Sequence, residues 1–408
     1  MLGGGLQGVC VALAAARLGL RVDLFDHQSA PMLGASLHNE GKLHLGFVYA
    51  GDPSRGTHRL MASGALSFGR VLRVLTGLDP SLFVTGSTFT YGLAADSQVS
   101  ANAFDLHCSA VMDFLQPRMG PNGVDYLGRT DLRPCEQLDA DALRRAFDTT
   151  NVTAAWSTPE LAVDTRRLAL ALRQMIRNHP SIRFRGGCDV LAASESSQQI
   201  VVDFRDTSTA RRERFDAVVN CLWDGRVAVD ETFGIPVPAS ILFRYKAYLR
   251  FDSTPLTEDI LPSTTLVHGP YGDLINCGNG HYFLSWYPTF RLGSTGGRDA
   301  RSLHRLLDGA SPMALLDSGV TNLSRFVPAL GQLRERAHNI QIGGGVIVAR
   351  GQSDIDDSDS ELHERTAIGP EQYGRYITVE TGKFTTAPMF AERVQRCLAS
   401  MFGLEEAQ

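Results

Sequence analysis

The stretch Gly3-Gly4-Gly5-Leu6-Gln7-Gly8 decides the fold. It fits G-x-G-x-x-G, and an apolar, alanine-rich helical stretch follows at residues 9–18. Gly19 can end that helix in the left-handed conformation. Arg21-Val22-Asp23-Leu24-Phe25-Asp26 then reads as a short strand ending in a carboxylate. Each residue type suits a dinucleotide site. Gly3, Gly5 and Gly8 permit the tight turn, the approach of backbone to pyrophosphate and close helix–strand packing. The helix beginning at Leu6 offers free N–H groups and a positive dipole end to the phosphates. Asp26 lies 18 residues after Gly8, near the spacing of about 20 expected of the acid that accepts from a ribose hydroxyl. An acid there disfavours a 2′-phosphate, so FAD or NAD is favoured over NADP. The competing reading is a glycine-rich tail. A buried strand of about five or six residues should precede the loop, yet only Met1 and Leu2 do. The first strand is therefore expected to be cut short at this start, with its remainder upstream.

The rest of the composition narrows the class. At roughly 100–200 residues per domain, 408 residues suggest two or three domains. A hydrophobic fraction of 43% and a charged fraction of 20% are ordinary for a globular chain and exclude long disorder. A net charge of −5 argues against a general nucleic-acid binder. Seven cysteines, an odd number without CxxC spacing, argue against a disulfide framework and a zinc ribbon, so a reducing cytoplasm is expected. No run of 18 apolar residues suggests a transmembrane helix, and residues 1–8 lack the positive charge of a signal peptide. No metal-ligand spacing appears. Of 39 basic side chains only three are lysines: Lys42, Lys246 and Lys383. Codon bias explains the scarcity; where the three sit is a separate question.

A second constellation follows the first. Residues 34–49 read Gly-Ala-Ser-Leu-His-Asn-Glu-Gly-Lys-Leu-His-Leu-Gly-Phe-Val-Tyr, a dense mixture of small, polar and basic groups without helical or strand periodicity. Here the chain resembles the FAD-dependent oxidoreductases of the D-amino-acid oxidase superfamily, which include glycine and sarcosine oxidases and L-2-hydroxyglutarate dehydrogenases. In that family a Ser…Asn-x-Gly…His segment lies along the pyrophosphate and flavin ring, and Ser36, Asn39, Gly41 and His44 match it. Residues 39–49 look most like the hydroxyglutarate dehydrogenase version, and Lys42 falls inside them. The resemblance continues at Val163-Asp164-Thr165-Arg166, which opens an amphipathic helix to about Asn178, and at strands near 182–184 and 188–191, where a backbone group near Val190 is implied at the adenine. Phe215-Asp216-Ala217-Val218-Val219-Asn220-Cys221 reads as a buried strand ending at the cofactor near Asn220. The family's usual Asn-Ala-x-Gly here becomes Asn220-Cys221-Leu222-Trp223. Near the C-terminus a strand at 376–380, the turn Thr381-Gly382-Lys383-Phe384 and a helix to about Met401 resemble the family's flavin-pyrimidine segment. A helix dipole and the Lys383 ammonium would stabilise the negative charge of reduced flavin there.

The resemblance implies an α/β chain: a Rossmann-like FAD-binding domain with a second α+β substrate domain on a mainly antiparallel sheet. The expected boundaries are 1–80, 146–235 and 335–408 for the first, and 81–145 and 236–334 for the second. Residues 240–251 alternate as a half-buried strand, 281–287 read as another, and 301–307 and 320–336 read as helical. The acidic run at 354–361 reads as a solvated loop. It lacks the sixth-position glycine of a calcium loop and has Arg365 at the twelfth position.

For chemistry, the resemblance implies FAD and a small amino or hydroxy acid whose carboxylate an arginine binds. Arg350, after the apolar strand at 345–349, is the first choice and Arg244 the second; a loop or surface arginine is the competing reading of Arg350. His44 is a candidate general base or hydrogen-bond donor, or a purely structural contact. Tyr248 heads a set of aromatics, with Tyr245, Tyr282, Trp286 and Tyr287, that would wall a pocket or simply fill the core. The electron acceptor is oxygen, or a quinone or carrier. The segment around Phe283-Leu284 has no lysine like the one sarcosine oxidases use toward oxygen, and Lys246 does not align with it, which weakens the oxidase reading. A non-catalytic flavin-binding paralogue is the remaining alternative, motivated by the short first strand and Trp223.

Overall fold

A computed structural model describes residues 1–120, 124–206, 209–298, 300–355, 357 and 360–405. Asp356, Ser358 and Asp359 of the acidic run lie outside the described residues.

Residues 1–3 sit at the centre of a mainly parallel sheet. Leu2 bridges Phe25 on one side and Asn220 on the other, both parallel. Leu2 N donates to Val219 O at 2.9 Å and Gly3 N to Phe25 O at 2.8 Å, while Phe25 N and Cys221 N donate back to Met1 O and Leu2 O at 2.9 and 2.7 Å. Two strands, Val22–Phe25 and Ile182–Arg185, extend the sheet in parallel on the first side. Val218–Asn220, Tyr376–Glu380 and Gly369–Tyr373 extend it on the other. Residues 1–3 thus supply the hydrogen bonds to both neighbouring strands. The helices Leu6–Arg17 and Ala387–Phe402 pack against one another, their apolar residues sharing the largest core cluster. Every residue from Leu6 to Ala15 is buried. An all-round apolar helix of this kind is stable only inside a core. Asp164 caps the amphipathic helix Thr165–Asn178, accepting from Arg166 N at 2.9 Å and Arg167 N at 3.1 Å, an arrangement that stabilises a helix by about 1 kcal/mol.

The second architecture is a nine-stranded sheet, antiparallel except where Phe89–Ala94 pairs Ser263–Val267. Its spine is Ile241–Asp252, which pairs with Arg291–Gly296, His281–Trp286 and His338–Arg350. Two strands from stretches assigned above to the FAD domain, Val152–Ser157 and His338–Arg350, pair in this large sheet. The helix expected over 320–336 is interrupted: an α-helix runs Pro312–Leu323 and a 3-10 helix runs Pro328–Arg336. Pro328 lacks the N–H needed to continue the first into the second. Among the described residues, no helix is long and apolar enough to cross a membrane.

Candidate active site

The glycine loop is packed so closely that side chains are excluded. Gly3 has φ +94°, and a Cβ on it would lie 2.5 Å from Cys221 O. A Cβ on Gly8 would lie 1.8 Å from Gly3 O, so Gly8 sets the helix-to-strand distance. Ser36 Oγ accepts from Leu6 N at 2.8 Å, tying the second constellation to the helix start. Asp26 Oδ2 accepts from Gly4 N at 2.6 Å and Oδ1 from Gln28 N at 2.7 Å, which fixes the carboxylate at the mouth of the loop. Gly41 has φ +72°, and its missing side chain lets Val163 O approach.

A cleft of about 330 Å3 starts at this loop and runs to the large sheet. Gly3, Gly5, Leu6, Asp26, Ser36 and Asn39 line one end, and Lys42, His44, Tyr248, Gly382, Lys383 and Phe384 continue it. Gly8 and Gly41, closely packed against neighbouring backbone, do not line it, and three further expected residues lie elsewhere. Asn220 is fully buried, with Nδ2 donating to Arg226 O, Asp230 Oδ1 and Tyr376 OH at 3.0, 2.8 and 2.9 Å. It closes the strand end internally, and its neighbours Cys221, Leu222 and Trp223 face the cleft instead. Val190 packs against the core beneath the meander 188–215. Arg350 is turned away from the cleft because Glu380 Oε2 holds its Nη2 at 2.8 Å and Nε at 3.3 Å.

Trp223 shows how the chain dispenses with the family's glycine. Its φ is +59°, a conformation costing a bulky residue roughly 1–2 kcal/mol. Its indole Nε1 donates to Val346 O at 2.8 Å, pinning the turn to the large sheet. The backbone path that glycine would allow is thus held by a side chain.

The far end of the cleft is built from charge. All three lysines of the chain line it. Lys42, 3% exposed, donates to Thr265 Oγ1 and to Asp273 Oδ1 (3.1 Å), with its ammonium 4.2 Å from the centre of the Phe89 ring. Lys246 Nζ approaches Asp273 Oδ2 at 3.7 Å. Burial works against ionisation of Asp273, but Lys42 and then Lys246 hold it well below the usual carboxylate range. Burial, followed by the Arg365 guanidinium, brings the Lys383 ammonium down to about 7. Arg244 is buried beside it, its Nη1 donating to Tyr287 OH and to Asp354 Oδ1 at 3.0 Å. Asp354 also accepts from Arg291 at 2.5 Å and from Tyr287 OH at 2.7 Å. The first carboxylate of the supposed solvated loop is therefore an internal partner of a cleft arginine. Sequence reading missed Asp273, Glu160, Asp354 and Arg365, because the contacts that define them are made by the fold and follow no local pattern.

His44 sits between two acids. Its Nδ1 is 3.7 Å from Glu160 Oε1 and its Nε2 3.8 Å from Glu40 Oε1. Glu160 has no exposure and accepts from Leu45 N at 2.6 Å and Tyr91 OH at 2.5 Å. Burial lowers the His44 pKa below the usual imidazole range despite the opposing pull of Glu160, and Lys383 and Lys42 add to the lowering. The imidazole is thus neutral near pH 7. Tyr248 OH meets His38 Nδ1 at 3.0 Å, and its ring stacks on Phe283 at 4.9 Å.

A side-chain-free cradle opening a long cleft, with an acid at its mouth and cations and a neutral histidine at its end, defines a dinucleotide-dependent oxidoreductase. A family model described as FAD dependent oxidoreductase matches residues 2–393, and the chain belongs to that family. FAD is its cofactor, and the glycine loop, Ser36, Asn39, Gly382 and Phe384 are the residues that would hold it. Among solved structures the chain is similar to glycine oxidase from Geobacillus kaustophilus, with TM-score 0.65 and 14% identity over 100% of this chain and 94% of that one. It is similar to L-proline dehydrogenase from P. horikoshii, with TM-score 0.65 and 14% identity over 99% and 93%. It is also similar to FAD-bound L-alpha-glycerophosphate oxidase from Mycoplasma pneumoniae, with TM-score 0.62 and 15% identity over 97% and 93%. At such identities the likeness is one of fold. No curated protein sequence matches the chain.

Proposed function

We propose that this oxidoreductase oxidises the C–N or C–OH bond beside the carboxylate of a small amino or hydroxy acid. The observation that carries this reading is the convergence of Arg244 and Lys383 at the end of the cleft that begins with the glycine loop. When bound, FAD supplies a two-electron acceptor. Lys383 and Arg244 bind the substrate carboxylate, the latter held in orientation by Tyr287 and Asp354. Neutral His44 takes the proton from the substrate's amine or hydroxyl at Nε2, and buried Glu160 faces its Nδ1 and stabilises the imidazolium. Tyr248 and Phe283 form an apolar wall that excludes water from one side.

The Trp223 motive for a non-catalytic reading has lost its force, since Trp223 Nε1 donates to Val346 O and holds its turn. The two sheets support a division into a discontinuous FAD domain and a substrate domain, with Val152–Ser157 and His338–Arg350 on the substrate side. Seven free cysteines support a reducing, cytoplasmic setting. Anaerobic mixing of the yellow holoenzyme with a panel of 2-amino and 2-hydroxy acids tests the reading: a member of the panel bleaches the flavin. Admission of air then separates acceptors, because an oxidase releases peroxide while a dehydrogenase stays reduced until a quinone or dye is added. A flavin that no acid in the panel bleaches would contradict the proposal.

A further inference from the structure

A second cavity of about 320 Å3 adjoins the flavin cleft, lined by Arg166 and Arg250 together with Glu40, Asp164 and Asp252. Sheet register builds it. Arg250 stands opposite Gln341 on one neighbouring strand and Phe283 on the other. Arg166, exposed on the first turn of the helix Thr165–Asn178, donates from Nη2 to Gln341 Oε1 at 2.6 Å, which brings a second guanidinium to the same wall. Arg250 Nη2 reaches Thr165 Oγ1 at 3.1 Å and Asn39 O at 3.4 Å, while its buried Nε has no partner.

Among the described residues, neither arginine forms an ion pair. The cavity's carboxylates are otherwise engaged: Asp252 accepts from His281 Nδ1 at 2.6 Å and Asn339 Nδ2 at 2.8 Å, Asp164 caps its helix, and Glu40 Oε1 lies 3.8 Å from His44 Nε2 on the flavin-cleft side. Neighbouring guanidiniums without an anion repel each other, and a planar oxyanion that accepts from both removes that repulsion. We propose that Arg166 and Arg250 form a second oxyanion site, outside the flavin cleft, for a small carboxylate or phosphate. The site lies behind the cleft's aromatic wall, since Arg250 is 5.6 Å from the centre of the Tyr248 ring and 5.9 Å from that of Phe283.

The test titrates FAD-loaded wild type, Arg166→Gln, Arg250→Gln and Lys383→Met with sodium phosphate and, separately, citrate. Sodium chloride at matched ionic strength is the control, and the thermal midpoint is the readout. The expected result is a saturable rise in wild type beyond that with chloride. Half-saturation should move up by about tenfold or more in each arginine variant and stay unchanged in Lys383→Met. A response to phosphate alone assigns a phosphate ligand, and one to citrate alone a carboxylate. The proposal is overturned if neither anion exceeds chloride in wild type, or if the arginine variants respond as wild type. Loss of the response in Lys383→Met also overturns it, because the anion then occupies the flavin cleft. Should Arg250→Gln fail to fold, Arg166→Gln decides, as Arg166 is exposed and outside the core.

Discussion

The two ends of the cleft are made of different material. At the glycine loop the site is backbone: missing Cβ atoms, N–H groups and a helix start, all within Gly3–Gly8 and the strand that follows. At the far end it is side chains positioned by partners distant in the chain, as Lys42 is by Asp273, 231 residues away, and Arg244 by Asp354, 110 residues away. A backbone site leaves a short, local sequence signature. A charge site leaves none, because its meaning lies in pairing that only the large sheet creates. The first end should therefore fail all at once, and the second by graded, separable losses.

The largest expected effect is Gly8→Ala. Its Cβ would meet backbone, which cannot swing aside, so helix and strand must part. A loss of more than about 4 kcal/mol is expected, seen as insoluble protein or soluble protein without flavin absorbance. Next is Lys42→Met, which leaves the Asp273 carboxylate without its closest counter-ion. Removing one member of a buried pair costs about 3–5 kcal/mol, read as a lowered midpoint in chemical denaturation. Lys42→Arg is also expected to reduce flavin content or slow flavin reduction, because a planar guanidinium does not fit the ammonium's place above Phe89.

Arg244 and Arg350 make the sharpest contrast between the sequence and the structure. Arg350 follows an apolar strand where a substrate-facing loop was expected, yet Glu380 binds it and its side chain remains 39% exposed. Arg244→Gln should lower kcat/KM by about ten- to a hundredfold, the worth of a charge-assisted hydrogen bond of about 1.5–3 kcal/mol. Arg350→Gln should leave kinetics within about twofold and stability within about 1 kcal/mol, as for an exposed ion pair.

The helices Leu6–Arg17, Thr165–Asn178 and Ala387–Phe402, the parallel strands and the strand spine at 241–252 were legible, because periodicity and glycine placement are local; the helices Gly56–Thr76 and Ala101–Leu115 were not read. Lysine scarcity gave a pointer of another kind. Codon bias accounts for the count, but all three lysines face one cleft. What sequence could not show is which cations are spent internally. Lys42 is neutralised by Asp273, whereas Lys383, with Arg365 as a like-charged neighbour, is poised near pH 7.

That poise sets the most specific effect. In the proposed mechanism, substrate carboxylate binding needs the Lys383 ammonium, and catalysis needs neutral His44. The profile of kcat/KM should therefore rise with pH through the lowered His44 pKa and fall above about 7, with a slope approaching tenfold per pH unit. The falling limb should disappear in Lys383→Met. The stability sign is opposite. The unfolded chain holds the Lys383 proton more tightly than the folded one, so the fold is penalised most below about 7 and the penalty fades as pH rises toward 10.5.

The central claim is that this flavin cleft selects a carboxylate through its charged end. It is tested most directly by anaerobic flavin bleaching with matched pairs: each 2-amino or 2-hydroxy acid against its own carboxamide, in wild type and in Lys383→Met. At least one acid is expected to bleach wild type quickly and its amide at least about tenfold more slowly, with the difference shrinking in Lys383→Met. Equal bleaching by acid and amide in wild type would contradict it.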